Sequence, residues 1–264
     1  MIRSATRRHR SLPWQDALHT DTLLQWIALI ALTFPAARAF TASDAKARDN
    51  QKHTQADADR MIRAAEGALA PVYAPLAEEI VEKLALAEKE GIGIDLGSGP
   101  GTLIVELCQR TKLHWINADI NPHFFPYFFR QVQTAGYSGR VSAMRADACA
   151  LPFRDNFADV LVSRGSLQFW PDLQKGLSEI HRVLKPGAVA YIGRGFPERL
   201  PPETARKVRG DQSEGVKYDP DQVEQRLRDI MKALGIEDFE IYRPKRDNPE
   251  GINYGIWLQF RKQR

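Results

Sequence analysis

Apolar and polar positions along this chain switch repeatedly between two patterns. Short unbroken apolar runs alternate with longer stretches in which apolar residues recur every three or four positions. The short runs at 92–96, 114–119, 140–146, 158–163 and 188–193 predict strands, and their nearly continuous apolarity suits strands buried on both faces. The longer stretches predict helices. Met61, Ile62, Ala65 and Leu69 mark one over 56–69, and Leu76, Ile80, Leu84 and Ala87 mark one over 74–88, closed by Gly91. Others follow to Arg110, after Asn121-Pro122, over 171–184, over 203–209, and from Asp219-Pro220-Asp221-Gln222 to Gly235. The stripe Phe124, Phe125, Phe128, Phe129 and Val132 reads as core, not as an aromatic cofactor box. Residues 239–243 and 254–260 close the chain as two strands of an antiparallel hairpin. Five strand–helix units and this ending predict an α/β, doubly wound, seven-stranded sheet, mostly parallel with one antiparallel strand near the C-terminus.

The first predicted strand runs into Asp95-Leu96-Gly97-Ser98-Gly99-Pro100-Gly101, an acid followed by glycines at alternate positions, with helical character resuming at Thr102. Such a turn admits positive φ and close approach to a ligand, and helix N-terminal N–H groups face whatever it holds. It reads as an adenosine-type cofactor site. Asp119 lies 18 residues beyond Gly101, where a doubly wound fold places a carboxylate for ribose hydroxyls. Asp147 leaves the third strand beside the same crevice and suits an adenine amino group or a turn. A nicotinamide fingerprint would need glycine at 102, where Thr102 stands, so a Rossmann oxidoreductase is the less favoured reading.

The net charge of +4 changes the picture little. Residues 1–52 hold eight Lys/Arg against four acids, which leaves 29 of each in the remainder. A neutral core argues against a nucleic-acid partner. Two cysteines and six histidines without metal-protease spacing support neither a disulfide framework nor a metal site. Residues 1–52 form an N-terminal extension before a domain over 53–264. Its arginines, apolar run and Ala37-Arg38-Ala39 resemble a secretory signal or anchor, and membrane association through 23–39 is one reading; an amphipathic or mis-started extension is the other.

Three segments then resemble one family. Asp95 to Gly101, Asp147-Ala148 with Leu151-Pro152-Phe153, and Arg182-Val183-Leu184-Lys185-Pro186-Gly187 are similar in kind and order to motifs of class I S-adenosylmethionine-dependent methyltransferases. The resemblance covers about residues 72–261. It implies S-adenosyl-L-methionine as cofactor, with Asp95, Gly97, Ser98, Gly99 and Gly101 in the loop, Asp119 and Ile120 at the ribose, Asp147 and Ala148 at the adenine, and Ser163 and Arg164 under the sulfonium. Ala188 replaces a usual glycine, and Gln168-Phe169-Trp170 stands where many relatives carry a histidine pair. The implied activity is methyl transfer to a small-molecule or lipid-like acceptor, mainly through proximity and orientation, in the cytoplasm where this cofactor is made. A non-catalytic cofactor-binding sensor or partner subunit is the alternative. Acceptor-side candidates are Tyr73, His123, Arg164, Trp170 and Arg194, with 194–217 as a lid-like insertion; acceptor identity, a general base and oligomeric state stay open.

Overall fold

The computed structural model describes residues 53–209, 219–247 and 251–264, all within one compact unit spanning 47–264. The expectations for residues 1–52, signal, anchor and linker alike, lie outside the described residues, as does 210–217 of the lid-like insertion. The elements run α1 (Gln55–Glu66), α2 (Ala70–Lys83), β1 (Ile92–Leu96), α3 (Thr102–Arg110), β2 (His114–Asp119), α4 (Phe125–Thr134), β3 (Val141–Arg145), β4 (Ala158–Arg164), α5 (Leu173–Val183), β5 (Leu184–Gly195), α6 (Pro202–Arg209), α7 (Pro220–Ala233), β6 (Phe239–Tyr242) and β7 (Gly255–Arg261). The sheet order is β3-β2-β1-β4-β5-β7-β6, parallel except for β7, which pairs antiparallel with both β5 and β6. This is the expected seven-stranded sheet.

Several boundaries differ from expectation for local reasons. Helix α1 stops at Gly67, and α2 starts four residues early because Pro71 falls in its first turn, where a missing N–H costs nothing. It also ends early, where Ala85 turns into the left-handed region. Strand β5 begins at Leu184, directly after α5, because Leu184 already pairs with Ala158 across an irregularity in the ladder.

Apolar residues fill both faces of the sheet. Leu173, Leu177 and Ile180 of α5 join Leu227, Ile230 and Met231 of α7 on one face; Leu76 and Ile80 of α2, Leu103, Ile104 and Leu107 of α3, and Phe128 and Val132 of α4 cover the other. Each such side chain contributes about 1.5–3 kcal/mol when fully buried. Only part of the aromatic stripe on α4 is core: Phe128 is fully buried, whereas Phe129 is 45% exposed. A smaller cluster joins Val72, Phe196, Leu200, Ala205 and Tyr254, and through it α6 packs beside α2. Among the described residues no helix is long and apolar enough to cross a membrane.

Two features of this fold position the site. The strand order reverses at β1, between β2 and β4, which opens a crevice at the carboxyl ends of the strands. Helix α1 buries only Ala58 and Ala65, and polar bonds hold its two ends instead. Asn121 Nδ2 donates to the Thr54 carbonyl at 3.1 Å, and Tyr127 Oη donates to Glu66 Oε1 at 2.9 Å.

Candidate functional site

The glycine loop is fixed by the strand beside it. Gly97 N–H donates to the Ala118 carbonyl at 2.7 Å, which extends the β1–β2 ladder past the end of β1. The Gly99 peptide is then gripped at both ends: Asn117 Nδ2 donates to its carbonyl at 3.1 Å, and its N–H donates to Asp119 Oδ2 at 2.8 Å. The second oxygen of Asp119 accepts from Asn121 N–H at 2.8 Å. Asp119 therefore sets the loop, and each of its oxygens retains acceptor capacity for a ligand hydroxyl. Asn117, fully buried, is a site-shaping residue that the sequence did not single out.

Each glycine of the loop lies in the left-handed region, and the reasons for glycine differ. At Gly97 a Cβ would stand 2.3 Å from Ser166 Cβ, so the loop after β4 packs directly on the loop after β1. At Gly101 a Cβ would meet Phe128 at 2.2 Å; this residue serves packing and does not line the cavity. At Gly99 a Cβ would find nothing closer than 3.8 Å, and the positive φ alone selects glycine there. No side chain caps the N-terminus of α3, so its first N–H groups are free for a ligand.

These loops surround a cavity of about 370 Å³, within the range of small-molecule sites. Asp95, Gly97, Ser98, Gly99, Asp119, Ile120, Asp147, Ala148 and Arg164 all line it. Two expected site residues do not. Gly101 turns toward Phe128, and Ser163 is buried behind the wall, its hydroxyl 2.6 Å from that of Ser166, which in turn donates to the Leu96 carbonyl. Asp147 lines the cavity while Oδ1 accepts from Cys149 N–H at 2.8 Å, so holding the turn does not remove it from the cavity wall.

Of the acceptor-side candidates, Tyr73, Arg164 and Trp170 line the cavity; His123 and Arg194 are exposed and do not. None of residues 194–209 lines it either, because α6 and the segment before it pack on Val72 and Tyr254. The cover comes from α1 instead, through Asp57, Arg60 and Met61, with His53 just ahead of it. Phe124 also reaches the cavity, so one member of the stripe read as core belongs to the site. Only three-dimensional packing brings α1 here, and its own pattern gives no sign of a ligand.

Electrostatics concentrate at the floor. Burial pushes the Asp95 carboxyl up to about 7; Asp119 adds to this, and Arg164 opposes it. The Ser98 hydroxyl also eases it by proximity, yet is itself buried without a hydrogen-bond partner among the described residues. Burial likewise raises Asp119, against the N–H groups of Asn121 and Gly99. Tyr73 is raised chiefly by burial, with the Arg164 guanidinium opposing. Two carboxylates, an orphaned hydroxyl and a glycine cradle suit a hydroxyl-bearing, positively charged nucleoside ligand.

A nucleoside-cofactor site at the switch point of a seven-stranded sheet with an antiparallel β7 defines a class of transferase fold. Residues 94–192 match the family model described as a methyltransferase domain. A solved structure from Methanococcus maripaludis, provisionally assigned as an S-adenosyl-L-methionine-dependent methyltransferase, is 26% identical with a TM-score of 0.68, over 81% of this chain and 95% of that one. The ubiquinone/menaquinone biosynthesis C-methyltransferase of Vibrio vulnificus is 27% identical over 171 residues, 56% of this chain and 65% of the relative. The Arabidopsis thaliana 2-methyl-6-phytyl-1,4-hydroquinone methyltransferase is 30% identical over 122 residues, 46% of this chain and 35% of the relative. The matched part thus spans less than two thirds of these curated relatives. Residues 94–192 therefore carry a methyltransferase domain, within a fold shared with S-adenosyl-L-methionine-dependent methyltransferases.

Proposed function

We propose that the chain methylates a small aromatic acceptor of the quinol kind, the substrate type named for its relatives. One observation carries the reading: a single cavity joins the cofactor residues of β1, β2 and β3 to a second wall of Tyr73, Arg164, Phe169 and Trp170. Ring faces and one cation suit a planar, polarisable acceptor.

S-adenosylmethionine, when bound, supplies a methyl group on a sulfonium that is already activated. Asp119 would take the ribose hydroxyls and Asp147 with Ala148 the adenine, while Asp95 balances positive charge at the floor. The aromatic wall would orient the acceptor, and α1 would exclude water from above. Fixing two reactants in line accounts for roughly 7–11 kcal/mol of barrier in favourable cases, so the chain needs little covalent chemistry of its own.

The test is calorimetry with S-adenosylmethionine, followed by assay of S-adenosylhomocysteine formation with 1,4-naphthoquinol and short-chain demethylated quinols. Binding with turnover of a quinol supports the reading. Tight binding without turnover of any acceptor favours a cofactor-binding subunit, and no binding overturns the assignment.

A further inference from the structure

The cavity contains a guanidinium that no carboxylate among the described residues holds in an ion pair. Arg164 leaves β4 half-buried in the cavity wall. Its contacts among the described residues are the Gly195 carbonyl at 3.4 Å, the long end of hydrogen-bond range, and the Tyr73 side chain, whose ring centroid lies 5.5 Å from Cζ; the Asp95 carboxylate attracts it from beyond ion-pair distance. Other arginines of similar burial are better matched. Arg110 pairs with Glu106 and Glu78, Arg182 with Glu179 and Asp155, and Arg140 donates to two carbonyls at 2.7 and 2.8 Å. Arg60, the other arginine on the cavity, is exposed and paired with Asp57. A half-buried guanidinium without a carboxylate in ion-pair contact gains from an anionic ligand, and its planar fork matches paired oxygens.

Its place in the sheet says which ligand. Across the crevice the order is Asp147 after β3, Asp119 on β2, the glycine loop after β1, and Arg164 on β4. The adenosine residues occupy one side, so Arg164 stands at the opposite, reactive end. There it faces Tyr73 from α2, while Gly165 and Ser166 beyond it also line the cavity. Tyr73 is 6% exposed and offers a fixed ring edge and face.

We propose that Arg164, seated against the Tyr73 ring, is a subsite for an anionic oxygen of the acceptor, which makes the acceptor an acidic phenol or hydroxyquinone-type ring rather than a neutral or cationic amine. This rests on the methyl-transfer reading above and deepens it. A guanidinium beside the acceptor hydroxyl favours its ionised form, so the acceptor binds as the phenolate with its proton released to solvent, and no base in the cavity need take it. Tyr73, raised by burial, is poorly suited to that role. The same anion-binding chemistry could serve the carboxylate of the cofactor, and the experiment separates the two sources.

The probe is 2-hydroxy-1,4-naphthoquinone, an anion at pH 8, compared by calorimetry with the non-ionising 2-methoxy-1,4-naphthoquinone on the full chain loaded with S-adenosylhomocysteine. The hydroxy compound is expected to bind about tenfold tighter to the wild type, as a charge-assisted pair would give. R164Q should erase that preference, R164K should keep part of it, and Tyr73→Phe should preserve it; S-adenosylhomocysteine affinity should stay within about threefold throughout, which also shows that the variants fold. No preference in the wild type, or a preference intact in R164Q, overturns the proposal. A loss of tenfold or more in S-adenosylhomocysteine affinity in R164Q assigns Arg164 to the cofactor carboxylate and overturns it equally. Failure of the wild type to bind S-adenosylhomocysteine is a different result: it removes the methyl-transfer reading itself.

Discussion

The two walls of the cavity are built by opposite means. The cofactor wall is made of strand ends and the turns that leave them, held in register by the ladder and by Asn117 and Asp119, so a few side chains fix the path of the backbone. The cover is made of α1 and the start of α2, brought from elsewhere in the chain. Only two residues of α1 are buried, and single polar bonds tie its ends to Asn121 and Tyr127. A wall built from a sheet resists displacement because every strand braces the next. A helix attached at its ends can open without unfolding the core.

Damage to the two walls should therefore differ in kind, and the largest effect is expected in the turn. In Gly101→Ala a Cβ would press on Phe128 in a residue already at φ 76°. Strain plus overpacking destabilises by about 2–4 kcal/mol, read as a lower urea midpoint with unchanged slope. A wild-type midpoint would show that α4 yields easily and that the wall is softer than its geometry implies. Next comes Asp119→Ala, which removes the acceptor for two buried backbone N–H groups as well as the proposed ribose contact. Cofactor affinity should fall about 100-fold, the scale of a hydrogen bond or two to a charged group. A change under threefold by calorimetry would remove the ribose assignment.

The same contrast explains what could be read from the residues alone. Strand runs, the glycine spacing and Asp119 announce themselves because a parallel sheet buries continuous apolar stretches and a tight turn demands glycine. Sequence order also gave the antiparallel β7, since a short link between two terminal strands leaves little choice. The cover was legible only in part. Tyr73 was named from the residues as an acceptor-side candidate, and it does line the cavity. The contributions of Asp57, Arg60 and Met61 depend on how α1 docks, and its charged, weakly apolar pattern would equally suit a solvated helix. Residues 194–209 fooled the reading for the opposite reason: Gly, Pro and charge suggest a loose insertion, yet Phe196, Leu200 and Ala205 anchor it to Val72 and Tyr254. Ser163 shows the limit of counting along a strand, because its hydroxyl turns to Ser166 behind the wall and the cavity is reached only from the next residue, Arg164, onward.

A moderate effect should come from pH acting on the cofactor wall. With its carboxyl near 7, Asp95 is about one-tenth ionised at pH 6 and about nine-tenths at pH 8. A positively charged ligand prefers the ionised form, so S-adenosylmethionine affinity should rise roughly tenfold over that interval. Stability of the ligand-free chain moves the other way. A carboxyl whose folded value is raised favours the folded state most below its unfolded value near 3.8, and that contribution is lost as pH rises through about 7. Asp95→Asn should flatten both profiles. A pH-independent affinity in the wild type would place the ligand's charge away from Asp95.

The smallest effect is expected at the cover. Thr54 opens α1 with a capping box: its hydroxyl accepts from Asp57 N–H at 3.2 Å, and the Asp57 carboxylate takes the Thr54 hydroxyl at 2.7 Å and its backbone N–H at 3.3 Å. Thr54→Ala removes the cap but leaves the Thr54 carbonyl that Asn121 holds. Hydrogen exchange over residues 55–66 should quicken while exchange in β1, β2 and β4 stays as in the wild type, since α1 opens apart from the sheet. Cofactor affinity should change by no more than about threefold, through faster dissociation, because the cover closes over the ligand without building its contacts. A loss approaching that of Asp119→Ala would break the comparison. It would mean that the order of α1 is transmitted through Asn121 to the Asp119 carboxylate, and that the two walls act as one unit.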